Sequence, residues 1–341
     1  MGQALSKSDG VCMMIRLPSL WIINPKGNIQ ENNLTLVVEF FLLGFQGGPS
    51  FRIIVFFLLL VVYCGTIYGN LLIITLVSTS KNLHTPMYFF IAQLSISDIL
   101  LTTNIAPNMF YVLLNDGGTI TFAGCITQFY FFDSIEAFEC LLLAVMSYDR
   151  YVAICNPLRY ASIMTSACCM KLVLRSWLIG FSITLLDTIT VSMLIFCGSN
   201  IIDHFFCDLL PLLKIVCSDT FIVQLEVFLL SIPSIFIPTT IIIYSYVNIV
   251  RAILRIRSSA GRQKAFSTCS SHLTVVSIFY WTLFSVYVVP SSGQTLTINK
   301  ALSLLYTTYT PMINPIIYSL KNKAIKEAAC NLINKSIQKV T

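Results

Sequence analysis

Along most of the chain the apolar positions do not alternate with polar ones. They run together in seven long stretches, at about 53–78, 86–113, 125–150, 173–196, 221–250, 266–290 and 300–320, each filled throughout with Leu, Ile, Val and Phe. A bilayer core of roughly 30 Å takes about 20 helical residues, whereas the strands of a membrane barrel alternate in stretches of about ten. The pattern predicts an all-α membrane protein: a seven-transmembrane helix bundle over 51–320, a tail over 1–50 before it and a tail over 321–341 after it.

Composition agrees. Of 341 residues, 56% are apolar or aromatic and 11% charged, against about 25% charged in a soluble domain. So little charge cannot clothe a water-facing surface, which excludes a soluble enzyme, and disorder would need low hydrophobicity. The basic residues orient the bundle. Fifteen of the 21 (Lys81, Arg150, Arg159, Lys171, Arg175, Arg251, Arg255, Arg257, Arg262, Lys264, Lys321, Lys323, Lys326, Lys335 and Lys339) lie in or beside the loops after spans 1, 3 and 5 or in the last tail. The positive-inside rule then places the N-terminus outside and the C-terminus in the cytoplasm. The net charge of +6 is a topology signal and needs no nucleic-acid partner.

The first tail reads as unstructured. Its start, Met1-Gly2-Gln3-Ala4-Leu5-Ser6, fits the myristoylation pattern but faces the wrong compartment, and span 1 is expected to serve as an uncleaved signal anchor. Asn33-Leu34-Thr35 is a glycosylation acceptor on the outer side, whereas Asn334-Lys335-Ser336 falls in the cytosol. Of the 12 cysteines, Cys125, Cys197, Cys207 and Cys217 face the oxidising side. Those four allow two disulfides in three pairings.

Six of the 15 acids lie within spans: Asp98 in span 2, Asp133, Glu136 and Glu139 in span 3, Asp187 in span 4 and Glu226 in span 5. Ionisable groups there are costly and mark functional sites. At about 100° per residue Asp133 and Glu136 share one face, with Glu139 about 60° further round, so this stripe is expected to face the bundle interior. No Lys, Arg or His lies at the same depth. Each carboxyl is therefore protonated, hydrogen-bonded to a neighbour or paired with a bound cation.

The run Met146-Ser147-Tyr148-Asp149-Arg150-Tyr151-Val152-Ala153-Ile154-Cys155-Asn156-Pro157-Leu158-Arg159-Tyr160 resembles the signature of the vertebrate olfactory receptors, rhodopsin-like G-protein-coupled receptors. Four other blocks agree: Gly69-Asn70; Pro86 to Phe90 with Leu94, Ser95 and Asp98; Lys264 to Leu273; and Pro311-Met312-Ile313-Asn314-Pro315-Ile316-Ile317-Tyr318-Ser319-Leu320. The resemblance runs from about Asn33 to Ala328. It implies a receptor, not an enzyme, that binds a small volatile or water-borne odorant in the outer half of the bundle. It also implies activation of a stimulatory, olfactory-type G protein that raises cyclic AMP, at the plasma membrane of olfactory cilia.

The resemblance assigns roles to residues. Arg150 is the switch arginine, held at rest by Asp149 beside it and followed by Tyr151; an arginine that keeps its charge in a partly dry site suits a latch. Asn314, Pro315 and Tyr318 mark a kinked span 7, Tyr246 joins the same rearrangement, and Lys264 to His272 forms the moving inner end of span 6. Asp98, Glu139 and Asn70 make a mid-bundle polar site suited to a sodium ion, and no other cofactor is implied. The disulfides implied are Cys125–Cys207 and Cys197–Cys217, folding the outer loop into a lid, and a short amphipathic helix follows span 7. His204 in that loop is read as a hydrogen-bonded residue and not a metal ligand. Ligand positions fall on Asp133, Glu136, Ala137, Tyr280 and Tyr287. The chain departs from the common pattern at Asp133 and Glu136, normally apolar or small polar, and at Trp281, normally glycine and here expected to reshape the pocket floor. A desolvated carboxylate pair repels itself unless a cation bridges it, so amines or other cationic ligands are expected.

Two other readings compete. The same fold could sense a metabolite outside the nose, which an expression map would decide. A transporter would also bury acids, but no paired halves with matching interrupted helices are visible.

Overall fold

A computed structural model describes residues 37–196, 200–287 and 295–340. Its helices are α1 (Pro49–Thr79), α2 (Pro86–Asn115), α3 (Phe122–Cys155), α4 (Ser166–Ser192), α5 (Phe221–Leu254), α6 (Ser259–Tyr287), α7 (295–321) and α8 (Lys323–Val340). α1, α2, α4 and α5 are each long and apolar enough to cross a membrane. α3 instead carries the acid stripe and is the most enclosed helix, packing on α2, α4, α5 and α6. Large apolar side chains such as Ile54, Val61, Leu178 and Ile222 are 66–73% exposed on the outer faces, a surface suited to lipid and not to water.

Local chemistry sets the helix ends. Pro49 and Pro86 open α1 and α2, where a missing N–H costs nothing. Thr121 and Thr165 cap α3 and α4 by accepting from the Gly124 and Cys168 N–H groups at 3.1 and 3.3 Å. Two helices are locally widened into π turns, α5 at Ile232–Phe236 and α7 at Leu305–Tyr309, and Pro315 interrupts α7. Small residues let helices close up. A Cβ on Gly180 would sit 3.1 Å from the Ser134 carbonyl oxygen, and one on Gly69 would sit 3.0 Å from the Pro315 ring.

Within the tail expected to be unstructured, the described residues include a strand. β1 (Glu39–Leu42) is the middle strand of a small sheet, antiparallel to β2 (Gly118–Thr121) and parallel to β3 (Ile201–Ile202). Its alternation puts Phe40 and Leu42 into the core. Asn33 lies outside the described residues.

Candidate functional site

The sheet end of the bundle is closed by the loop between α4 and α5. A Cys125–Cys207 disulfide anchors that loop to the start of α3, as implied. Cys217 is also disulfide-bonded; Cys197, its expected partner, lies outside the described residues. Gln128 reinforces the anchor: its side chain accepts from the Cys207 N–H at 3.1 Å and donates to the Asn104 carbonyl at 3.0 Å, while its own carbonyl accepts from Asn104 Nδ2 at 3.0 Å. Phe205 and Phe206 are wholly buried. Lys300 of α7 donates to the Gly44 carbonyl at 2.9 Å and pairs with Asp203, tying β1's following turn, the lid and α7 together. His204 is buried; burial first and the Lys300 charge second pull its imidazole down to about 4. Among the described residues no group of three acids, histidines or cysteines could hold a metal ion there.

Beneath the lid is a cavity of about 360 Å³ between α3, α4 and α5. Asp133, Glu136 and Ala137 line it, and so does Asp187. Its buried Oδ1 has no hydrogen-bond partner, and Glu226 and the lid's Asp208 lie close enough to Asp187 and Asp133 to act on them electrostatically. No ion pair joins any of these acids to a base among the described residues. Ser134 and Thr184 hydrogen-bond across the α3–α4 contact beside them. Tyr280 is not among the lining residues, and its ring meets Phe279 edge-on. The side chain of Tyr287 lies outside the described residues. The expectation for Trp281 is corrected: it is 71% exposed, because one residue beyond the inward-turned Tyr280 the helix has rotated about 100°. It faces away from the cavity and does not shape its floor. Asp187 could have been added from the sequence as a buried acid, but its place beside the span-3 acids depends on how closely α4 approaches α3.

Midway along the bundle Asp98 is wholly buried and accepts from Asn314 Nδ2 at 3.1 and 3.2 Å. Glu139 lies near it, with Oε1 buried and unpartnered. Asn70 donates to the Thr66 and Pro311 carbonyls, clamping α1 to α7 one turn from Asn314, and its Oδ1 is buried without a hydrogen-bond partner.

At the opposite end a cavity of about 320 Å³ opens between α2, α3, α6 and α7. Arg150 lines it and is paired with Asp149, its Nε 2.9 Å from Oδ2, while the Tyr160 hydroxyl donates to the other carboxylate oxygen at 2.8 Å. Tyr246 and His272 bond at 2.6 Å, and the Tyr318 hydroxyl is buried without a partner. Tyr151 stands outside this cavity, its ring 6.2 Å from Tyr244. In the Lys264–Leu273 block the side chains of Lys264, Ser267 and Thr268 lie outside the described residues.

A family model described as olfactory receptor matches residues 59–336. The chain is 47% identical to Olfactory receptor 5G9 of Mus musculus over 306 residues, 90% of this chain and 98% of that protein. It is 47% identical to Olfactory receptor 5G3 of Homo sapiens over 300 residues, 88% and 96% respectively. Among solved structures, the crystal structure of squid rhodopsin matches with a TM-score of 0.66 at 16% identity, covering 86% of this chain and 88% of that one; at that identity the likeness establishes the fold.

Proposed function

The chain belongs to the olfactory receptor family of rhodopsin-like G-protein-coupled receptors, and from that premise we propose that it detects small amines or other cationic polar odorants and signals through a stimulatory, olfactory-type G protein. The observation that supports the ligand class is the cavity under the lid, where Asp133, Glu136 and Asp187 converge without a base. A cation entering that space relieves the mutual repulsion of any ionised pair and replaces lost hydration with charge-assisted hydrogen bonds. An apolar odorant would leave the acids unsatisfied. The lid end then faces outward and the Arg150 end the cytosol, as the placement of the basic residues favours.

At the inner end the residues present suit a latch. Asp149 holds Arg150 back, and Tyr160 orients Asp149. The proline-broken α7 can move its inner end without stripping a full ladder of backbone bonds, since Pro315 has already removed one. Release of Arg150 toward the cavity beside Tyr318 would expose a fixed cation to the G protein. Midway, Asp98 and Glu139 fit a sodium ion: they supply hard oxygens, one of them a buried orphan. Such an ion would neutralise the pair; Asn314 orients Asp98.

The test is a cyclic-AMP reporter in cells carrying the olfactory G protein, screened with amines, acids, aldehydes and terpenes. Amines are expected to activate, and Asp133→Asn with Glu136→Gln to weaken that response at least about tenfold, the cost of removing a desolvated charge partner. Arg150→Ala is expected to silence every ligand. Unchanged amine responses in the double variant would overturn the ligand class, and a surface-expressed receptor silent to the whole panel would overturn the coupling.

A further inference from the structure

The largest opening among the described cavities is not the ligand cavity but a groove of about 690 Å³ between α3, α4 and α5 at the Arg150 end. Beside it α5 carries the π turn at Ile232–Phe236, followed by Pro238. α4 packs on the first part of α5, Phe221–Ser231, and makes no comparable packing with the second, Ile237–Leu254. The gap opens sideways: Ile179, Ile237 and Ile241 on its walls are 40–51% exposed.

One lining residue does not suit an apolar wall. Arg175 lies nine residues into α4, about 13 Å from the start of the helix at the 1.5 Å rise, and its side chain is exposed into the groove. It forms no ion pair or hydrogen bond with any described residue. Lys171 lies one turn away on the same face of α4, and side chains on a helix lean toward its N-terminus. On α5, Arg251 lies about two turns beyond the lining Tyr244, outside the groove's lining, and is exposed. The carboxylate at this end of α3, Asp149, is already held by Arg150 and Tyr160. Arg175 thus lines an apolar slot with no acid paired to it among the described residues, with exposed Lys171 and Arg251 on the same two helices toward the Arg150 end, and a charge at membrane depth needs a counter-ion.

We infer that this groove holds an acidic phospholipid, its phosphate against Arg175, Lys171 and Arg251 and an acyl chain along Ile179, Ile237 and Ile241. A merely snorkelling arginine would accept any headgroup and be indifferent to the groove's width. The proposal requires both headgroup and groove. Near an anionic bilayer each base contributes about 1 kcal/mol, roughly fivefold in affinity.

The experiment uses the full chain purified in detergent, titrated with dioleoyl phosphatidylserine or dioleoyl phosphatidylcholine and read by native mass spectrometry. One phosphatidylserine is expected to be retained at least tenfold more strongly than phosphatidylcholine. Arg175→Gln should weaken retention about fivefold, and Arg175→Lys should keep it within about twofold. Ile241→Trp, which narrows the slot and leaves every base, should weaken retention at least as much as Arg175→Gln. Equal retention of the two lipids overturns the proposal. So does loss on Arg175→Gln with none on Ile241→Trp, which would reduce the effect to surface charge. If Ile241→Trp does not fold, Ile237→Phe takes its place under the same criterion.

Discussion

The lid carries two buried titrating groups of opposite sense, and their removal one at a time should turn a flat pH response into two opposite slopes. His204 is 5% exposed, and burial first and Lys300 second, opposed by a backbone hydrogen bond at Phe206 and by Asp203 and helped slightly by Lys214, bring it from 6.5 to about 4. Its neutral form is favoured in the fold, so stability is intact above pH 6.5 and falls as the pH drops toward 4, by about 3 kcal/mol. Asp208 is 2% exposed, and burial raises it from 3.8 to about 6 despite the bond it accepts from the Leu209 N–H. Its charged form is disfavoured, so stability is gained as the pH drops from 6 toward 4, by about 2 kcal/mol. The two nearly cancel. His204→Asn should therefore gain stability relative to the parent chain between pH 7 and 4, and Asp208→Asn should lose it. The assay is the thermal midpoint of the detergent-solubilised receptor at pH 7, 6, 5 and 4, taken as variant minus parent so that the other carboxyls drop out. Slopes of the same sign, or none in either variant, would refute the assignment of these environments.

Two further perturbations test the packing. Gly180→Val should lower the thermal midpoint and surface expression, because the added carbon meets the Ser134 and Phe138 backbone at 3.1 and 3.2 Å and backbone cannot swing aside; overpacking of this kind costs roughly 1–3 kcal/mol. Cys125→Ser should cost about 4.5 kcal/mol, the loop-closure value for a separation of 82 residues. Adding Cys207→Ser should cost little more by surface immunostaining, whereas additive losses would contradict the pairing.

The helices were legible because a membrane span is written as an uninterrupted apolar run, but their ends follow other rules. α4 starts at Ser166, not near 173, since the Thr165 cap sets the first turn. It stops at Ser192 because Phe196 is already in a bridge with Val216. α6 extends back to Ser259 through polar residues that hydropathy excludes, helix formation being a matter of propensity and backbone bonding and not of apolarity. β1 could not be foreseen: its partners are about 80 and 160 residues away, and four residues carry no periodicity that names them.

Charge was legible as a count and as a depth, yet function depends on which charges face one another. Asp133 and Glu136 share a cavity as the 100° period required, but Asp187 joins them only because Gly180 lets α4 lie against the α3 backbone. Trp281 and Tyr280 are neighbours in sequence and face opposite environments, so a residue that departs from a family's pattern shapes a pocket only if the helix is rotated to present it. Arg175 shows the converse. In the sequence it is one of fifteen bases that orient the bundle; in the fold it is set apart by its place beside the π turn of α5, a helix some 60 residues away, where it lines an open groove with no acid paired to it among the described residues. The same residue type serves topology where headgroups can reach it freely and selects a ligand where the protein has built walls around it. That distinction lies in the packing of α4 on α5 and in no local pattern of either helix.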